Sequence, residues 1–302
     1  MQILEFRIVV PVDYYKYAIG NRYMNFLYLE AEKQLDEGIE ILKNEPYNKN
    51  GEKGQYTEKV YDIKSKLPLQ ISLFVPNKYL HFHEKSYNAY PHFYTEYSVP
   101  GLKDKFKLSI ESQHLEFSRG MKAPDNLLNL DKKELKNRKV IYLDVFNEPI
   151  ELDSPEDNIQ NFVCPEANIN TPIDTKGKPN PKKIPKWVKN YDGPMTLCVK
   201  VVRFEIKWPA AQKVIDKFVS KVAYFKIFTN ANRKVIASMK QWYKMTIEDI
   251  LEIEDKAIKE QRQKGESAKD EEESSSSSSE GKIDKVIKVG GKVAKKIKSL
   301  KK

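Results

Sequence analysis

Two side chains in the stretch NEPYNKNGEKGQYTEKVYDIKSK, residues 44–66, have types and spacing that suit a polar site. Thr57 and Lys59 lie two apart in a segment that reads as a β-strand. Residues two apart on a strand point to the same face, so a hydroxyl and an ammonium stand side by side. Asn50-Gly51 and Gly54 supply the positive-φ positions that a hairpin connection needs. Spacing alone leaves the ligand open. Read without further information, the pair is the solvated face of a hairpin strand.

Other chemistries find less support. The four histidines are His81, His83, His92 and His114. His81 and His83 share a strand face, but no further His or Cys motif completes a metal set, so no metal site is expected. The chain has no G-x-S-x-G, no P-loop, no G-x-G-x-x-G and no H-E-x-x-H. Carboxylate pairs are frequent in so charged a chain, and none is singled out by spacing. No catalytic residue is assigned.

The elements that must position Thr57 and Lys59 read as follows. A strand at 3–10 leads through Pro11 and Asp13 into a helix ending near Gln34. Strands at 39–45 and 55–64 form the hairpin. The segment LQISLFV after Pro68 fits helix or strand. Further strands are expected near 79–84, 86–98, 105–115 and 138–146. Residues 147–194 are rich in Pro, Asn and Lys and read as a long loop, a feature that is usually functional or mobile. A long strand follows at 195–208. From Pro209, Val214, Phe218, Val222, Phe225 and Phe228 recur at helical spacing. A second helix starts at Thr246, with Glu248 and Asp249 in its first turn, and ends near Gln263. Successive strands with helices at the two ends favour an α+β class over βαβ repeats.

The net charge of +10 is unevenly placed. Residues 282–302 carry nine lysines against Asp284, and 266–280 carry six acids against Lys269. The only dense basic stretch lacks aromatic residues, so nucleic acid is not an expected partner. No apolar run approaches the ~18 residues of a membrane span. The N-terminus does not read as a signal peptide, and the cytoplasm is the expected compartment. Cys164 and Cys198 are accordingly expected to be free, buried thiols. The segment 264–281, acidic and Ser-rich, has too little apolar surface to fold. In 282–302, Ile283, Val286, Ile287, Val293, Ile297 and Leu300 fall on one helical face with lysines opposite. That is the pattern of an interfacial membrane helix, although Gly290-Gly291 would weaken it. The alternative is a solubilising tail.

NEPYNKNGEKGQYTEKVYDIKSKLP, HEKSYNAYP at 83–91, VVRFEIKW at 201–208 and WYKMTIEDILEIEDK at 242–256 together resemble the class I phosphatidylinositol transfer proteins. The resemblance covers residues 1–263 in order and is weakest at 116–194. It implies a curved, mostly antiparallel sheet with helices enclosing a lipid cavity, a START-like helix-grip fold. It also implies one bound phospholipid, phosphatidylinositol exchangeable with phosphatidylcholine or a similar lipid, moved between membranes without a cofactor. By the same resemblance Thr57, Lys59, Asn88 and Glu254 contact the inositol ring. Asn21 lies near the headgroup, and Thr95, Ser112 and Lys200 lie near the lipid phosphate. A ring with several hydroxyls needs donors, acceptors and a bifunctional hydroxyl, which this set supplies.

Two departures are visible. The family's paired tryptophans on a membrane-docking loop become Trp208-Pro209, leaving one interfacial anchor, and a family cysteine after NAYP becomes Phe93. The expected protein is a monomeric, transiently membrane-associated carrier and not an enzyme. Two alternatives remain at this stage: an enzyme acting on a hydrophobic substrate in a similar cavity, and a membrane-tethered, lipid-presenting signalling protein.

Overall fold

The computed structural model describes residues 1–34, 39–49, 51–62, 75–208, 212–257 and 259. The segment after Pro68, the acidic linker and the basic tail lie outside the described residues. Two compact units are distinguished, Met1–Glu252 and Ile253–Lys302. The sheet and the helices that cover it belong to the first.

Among the described residues eight strands form one sheet: β1 (Gln2–Val10), β2 (Ile39–Lys49), β3 (Glu52–Asp62), β4 (His81–Ala89), β5 (His92–Ser98), β6 (Phe106–Phe117), β7 (Arg138–Leu143) and β8 (Met195–Ile206). Their order is β2-β3-β4-β5-β6-β8-β1-β7. Every pairing is antiparallel except β1 with β7. Helices among the described residues include α1 (Tyr14–Gln34), α2 (Lys132–Asn137), α3 (Gln212–Phe218), α4 (Tyr224–Ala237) and α5 (Met239–Trp242), with a π-turn at Val219–Ala223 between α3 and α4 and a further helix at 247–257. This is the expected α+β class with a mostly antiparallel sheet.

β1 is buried on both faces, and its sequence ILEFRIVV shows how. Phe6 faces the helices, meeting Phe228 and Phe225 of α4 edge-on at 5.1 and 5.4 Å. Glu5 and Arg7 point the other way and neutralise each other at 2.6 Å, with Arg138 reaching Glu5 at 2.8 Å. A buried charge is tolerable when paired in this way. The side of the sheet that carries Phe6 is called the inner face below. α1 lies on it as well: Tyr17 packs on His114 of β6 at 5.1 Å and donates to Asn232 of α4 at 3.1 Å. Gly20 lets α1 cross the fully buried Trp242, because a Cβ there would lie 2.5 Å from the indole.

Two expectations need correction. The chain between 79 and 98 does not break near 85; it forms one hairpin, β4–β5, turning at Tyr90-Pro91. Gly51 takes the positive φ of 84° that the β2–β3 turn requires, but Gly54 is an ordinary strand residue. Its lack of a side chain serves close approach instead, since a Cβ would sit 2.3 Å from the Asn88 carbonyl oxygen. The helically spaced set divides: Phe228 is buried, with Ile215, Val219 and Tyr224, and Phe225 packs on Phe6, whereas Val214 and Val222 are exposed. A π-turn adds a residue per turn and resets the helical phase, which a constant 3.6 period cannot anticipate.

The long loop is anchored. Arg233 donates to the carbonyls of Val145, Glu148 and Ile150 at 2.7–2.8 Å, and Lys234 pairs with Asp157 at 2.9 Å. Trp187 and Val188 within it are buried, and both cysteines are buried free thiols as expected. At 246–249 the chain makes a reciprocal cap, Thr246 N to Asp249 Oδ2 at 2.8 Å and Asp249 N to Thr246 Oγ1 at 3.2 Å, so the helix begins where the sequence places it.

Candidate lipid headgroup site

Register decides which side chains share the inner face. Lys200 pairs with Phe6, Ser112 with Lys200, Phe93 with Ser112, Asn88 with Phe93 and Gln55 with Asn88. These residues form a row across the sheet. A second row, two residues along each strand, runs Val202, Ile110, Thr95, Ser86, Thr57 and Asn44. A third holds Leu108, Tyr97, Glu84 and Lys59. Thr57, Lys59, Asn88, Thr95, Ser112 and Lys200 therefore all point to the side of the sheet on which α1 and α4 pack. Adjacent rows are about 7 Å apart.

The polar groups form two clusters. Near β2–β4, Asn44 Oδ1 accepts from Gln55 Nε2 at 2.9 Å and from Thr57 Oγ1 at 3.3 Å. The threonine hydroxyl keeps its lone pairs for a donor from outside. Ser86 Oγ lies 2.8 Å from Thr95 Oγ1 and 3.5 Å from Asn88 Oδ1, which directs the Asn88 amide nitrogen away from Ser86. Lys59 makes no ion pair among the described residues, although Glu84 stands opposite it. Glu84 Oε2 accepts from Tyr61 at 3.3 Å. Burial, with Glu84 next in effect, pushes the Tyr61 and Tyr97 phenols well above their usual range, so both act as neutral donors. Donors, acceptors and a bifunctional hydroxyl are thus interleaved on one surface.

The second cluster lies at β6–β8. Lys200 Nζ is 3.3 Å from Ser112 Oγ and 5.6 Å from the centre of the Phe228 ring. Burial lowers the Lys200 pKa, and no carboxylate among the described residues pairs with it. Four strand spacings separate Lys200 from Lys59, on the order of 19 Å between backbones along the sheet, with Thr95 between them. These are two separate polar clusters, joined in part by the Ser86–Thr95 contact.

His114, on the same face, donates from Nδ1 to the Pro91 carbonyl at 2.8 Å; burial drives its pKa down to about 3 and keeps the ring neutral. His81 and His83 share the outer face, and no metal-binding group of His, Cys, Asp or Glu occurs among the described residues. Asn21 is half-buried on α1, one turn after Tyr17 and on the same side of that helix. Trp208 is half-buried, its ring edge-on to Tyr79 at 5.4 Å. Glu254 is helical and half-buried in the second unit.

Sequence reasoning did not single out Asn44, Ser86 or Glu84. Each is a cross-strand neighbour of an assigned residue, so a paired-strand register would have found them, and a one-strand pattern cannot.

The model of the phosphatidylinositol transfer protein family matches residues 1–259. The bovine phosphatidylinositol transfer protein beta isoform is 33% identical over 262 residues, covering 85% of this chain and 92% of that protein. The human beta isoform matches to the same extent. Phosphatidylinositol transfer protein 2 of Dictyostelium discoideum is 34% identical over 269 residues, covering 89% and 98%. This chain belongs to the phosphatidylinositol transfer protein family.

Proposed function

We propose that this chain carries one phosphatidylinositol molecule between membranes, exchanges it for a second phospholipid such as phosphatidylcholine, and does so as a monomer without metal or cofactor. The inositol ring is held by Thr57, Lys59 and Asn88, with Glu84 and Asn44 completing the set from β4 and β2; Glu254 is assigned to the ring by the family resemblance alone. Thr95, Ser112 and Lys200 take the phosphate, and Asn21 supplies a further amide. The observation that carries the reading is the pair of subsites on one sheet face. One is a hydroxyl-matching cluster; the other holds the half-buried Lys200 ammonium with no carboxylate partner among the described residues, which is suited to a phosphodiester.

The physical need for a carrier is plain. A two-chain phospholipid has roughly 30 methylenes, each worth about 0.8 kcal/mol on leaving water, so free passage is negligible. Discrimination comes from the ring hydroxyls: leaving a buried polar group unpaired costs about 1–3 kcal/mol. Trp208 is the single aromatic anchor at the bilayer, and 282–302 add lysines to the attraction. No described helix is long and apolar enough to cross a membrane.

Native mass spectrometry of the purified chain should show one phospholipid per polypeptide, and transfer of labelled phosphatidylinositol between vesicles should persist in a chelator. A chain that co-purifies empty and moves no lipid contradicts the reading.

A further inference from the structure

The outward side of the α3–α4 stretch carries a pattern that the headgroup site leaves unused. Lys213, Lys217, Lys221 and Lys226 are all exposed there. Between them Val214, Val222 and Ile227 stay 45%, 47% and 53% exposed, three of the few large apolar side chains so placed among the described residues. The one acid in this stretch, Asp216, is half-buried and accepts from Gln212 at 2.9 Å. Lys226 is shared at 4.0 Å with Asp153, and the other three lysines have no ion pair among the described residues.

The backbone keeps these residues in line. Lys213, Lys217 and Lys221 follow the four-residue step of an α-helix. Lys221 to Lys226 and Val222 to Ile227 are steps of five, the step of the π-turn at Val219–Ala223. The extra residue turns Phe225 and Phe228 inward onto Phe6 while Lys226 and Ile227 continue the outer row. One insertion thus serves the core and the surface together.

Lysines interleaved with mid-sized aliphatic side chains match an anionic bilayer, where stems and methyl groups enter the headgroup layer and ammonium groups meet phosphates. A protein partner fits less well, since interface cores are depleted in lysine. Nucleic acid fits less well too, because the exposed set contains no aromatic side chain or arginine. We propose that the α3–α4 outer face is a docking surface for an anionic phospholipid membrane. The proposal rests on the reading of the chain as a carrier that must meet a bilayer, and it adds a second contact beside Trp208.

The test uses the full-length chain and sedimentation with phosphatidylcholine vesicles, with or without phosphatidylserine. Lys213→Glu/Lys217→Glu/Lys221→Glu is compared with an equal charge change on exposed lysines elsewhere, Lys107→Glu/Lys132→Glu/Lys139→Glu. Circular dichroism checks that both variants fold, which is expected because all six positions are exposed. At low salt the helix variant should bind phosphatidylserine vesicles about tenfold or more weakly, from loss of lysine attraction. The control should change by less than about twofold, and high salt should close the gap. Equal losses in the two variants, unchanged binding of the helix variant, or no binding by the unaltered chain overturns the proposal. Phosphatidylinositol transfer by the unaltered chain is measured in parallel, and its absence would instead remove the carrier reading.

Discussion

Lys200 donates to Ser112 Oγ at 3.3 Å while burial lowers its pKa, and no carboxylate pairs with it among the described residues. A cation held in this way is unfavourable for the lipid-free fold and favourable for an anionic guest. Its lowered pKa means that folding disfavours the charged form. The resulting cost is fully present at pH values below the lowered pKa and is relieved as pH rises through it toward the ordinary value of 10.5.

Lys200→Met is therefore expected to raise the melting temperature of lipid-free protein at neutral pH and to slow transfer of phosphatidylinositol and phosphatidylcholine alike. Calorimetry and vesicle transfer read the two effects separately. A variant that is less stable and carries both lipids normally would show that Lys200 supports the fold and not the phosphate.

The other subsite should act on one lipid only. Thr57→Ala, Lys59→Ala and Glu254→Gln are each expected to cut phosphatidylinositol transfer about tenfold or more, equivalent to about 1.4 kcal/mol. Phosphatidylcholine transfer should change far less, because choline offers no ring hydroxyls. Parallel losses of both lipids in a folded variant would remove these residues from the inositol site.

Gly54→Ala probes the scaffold beneath the site. Its Cβ would meet the Asn88 carbonyl oxygen at 2.3 Å, and backbone cannot yield as a side-chain tip can. A loss of about 1–3 kcal/mol is expected from overpacking, together with weaker phosphatidylinositol transfer as Asn88 shifts. Denaturant unfolding measures the first effect, and a midpoint equal to that of the unaltered chain contradicts the clash.

On the outer face, His92 bridges Glu52 at 3.2 Å and Glu111 at 3.3 Å, and Glu111 in turn meets Arg203 at 2.7 Å. The hydrogen bond to Glu111 leads in raising the His92 pKa above 6.5, against burial and with help from Glu52. The stabilisation is fully present below pH 6.5 and is lost as pH rises through the raised value. The difference in melting temperature between the unaltered chain and His92→Gln should thus shrink from pH 6 to pH 8.5, and more gently in high salt. A difference that grows with pH would exclude the bridge.

What the sequence determined by itself is local. Alternation placed Thr57 and Lys59 on one face, because strand period depends on backbone geometry alone. Gly51 marked the hairpin turn, Thr246 with Asp249 marked a helix start, and the long motifs around NEPY and NAYP carried the family. Pairing could not be read this way. Which face is inner, and that Ser86, Glu84 and Asn44 stand beside the assigned residues, follow from register between strands distant in the chain. The β4–β5 boundary shifted for the same reason, since HFHEKSYNAYPHFYTEYS is continuously strand-like until its partners are known. That Val214 and Val222 face water while Ile215 and Val219 are buried depends on packing and on the π-turn at Val219–Ala223, whose extra residue shifts the helical phase. That no carboxylate among the described residues pairs with Lys200 is likewise decided by the assembled sheet and helices, which bring Ser112 of β6 and the Phe228 ring of α4 against its ammonium.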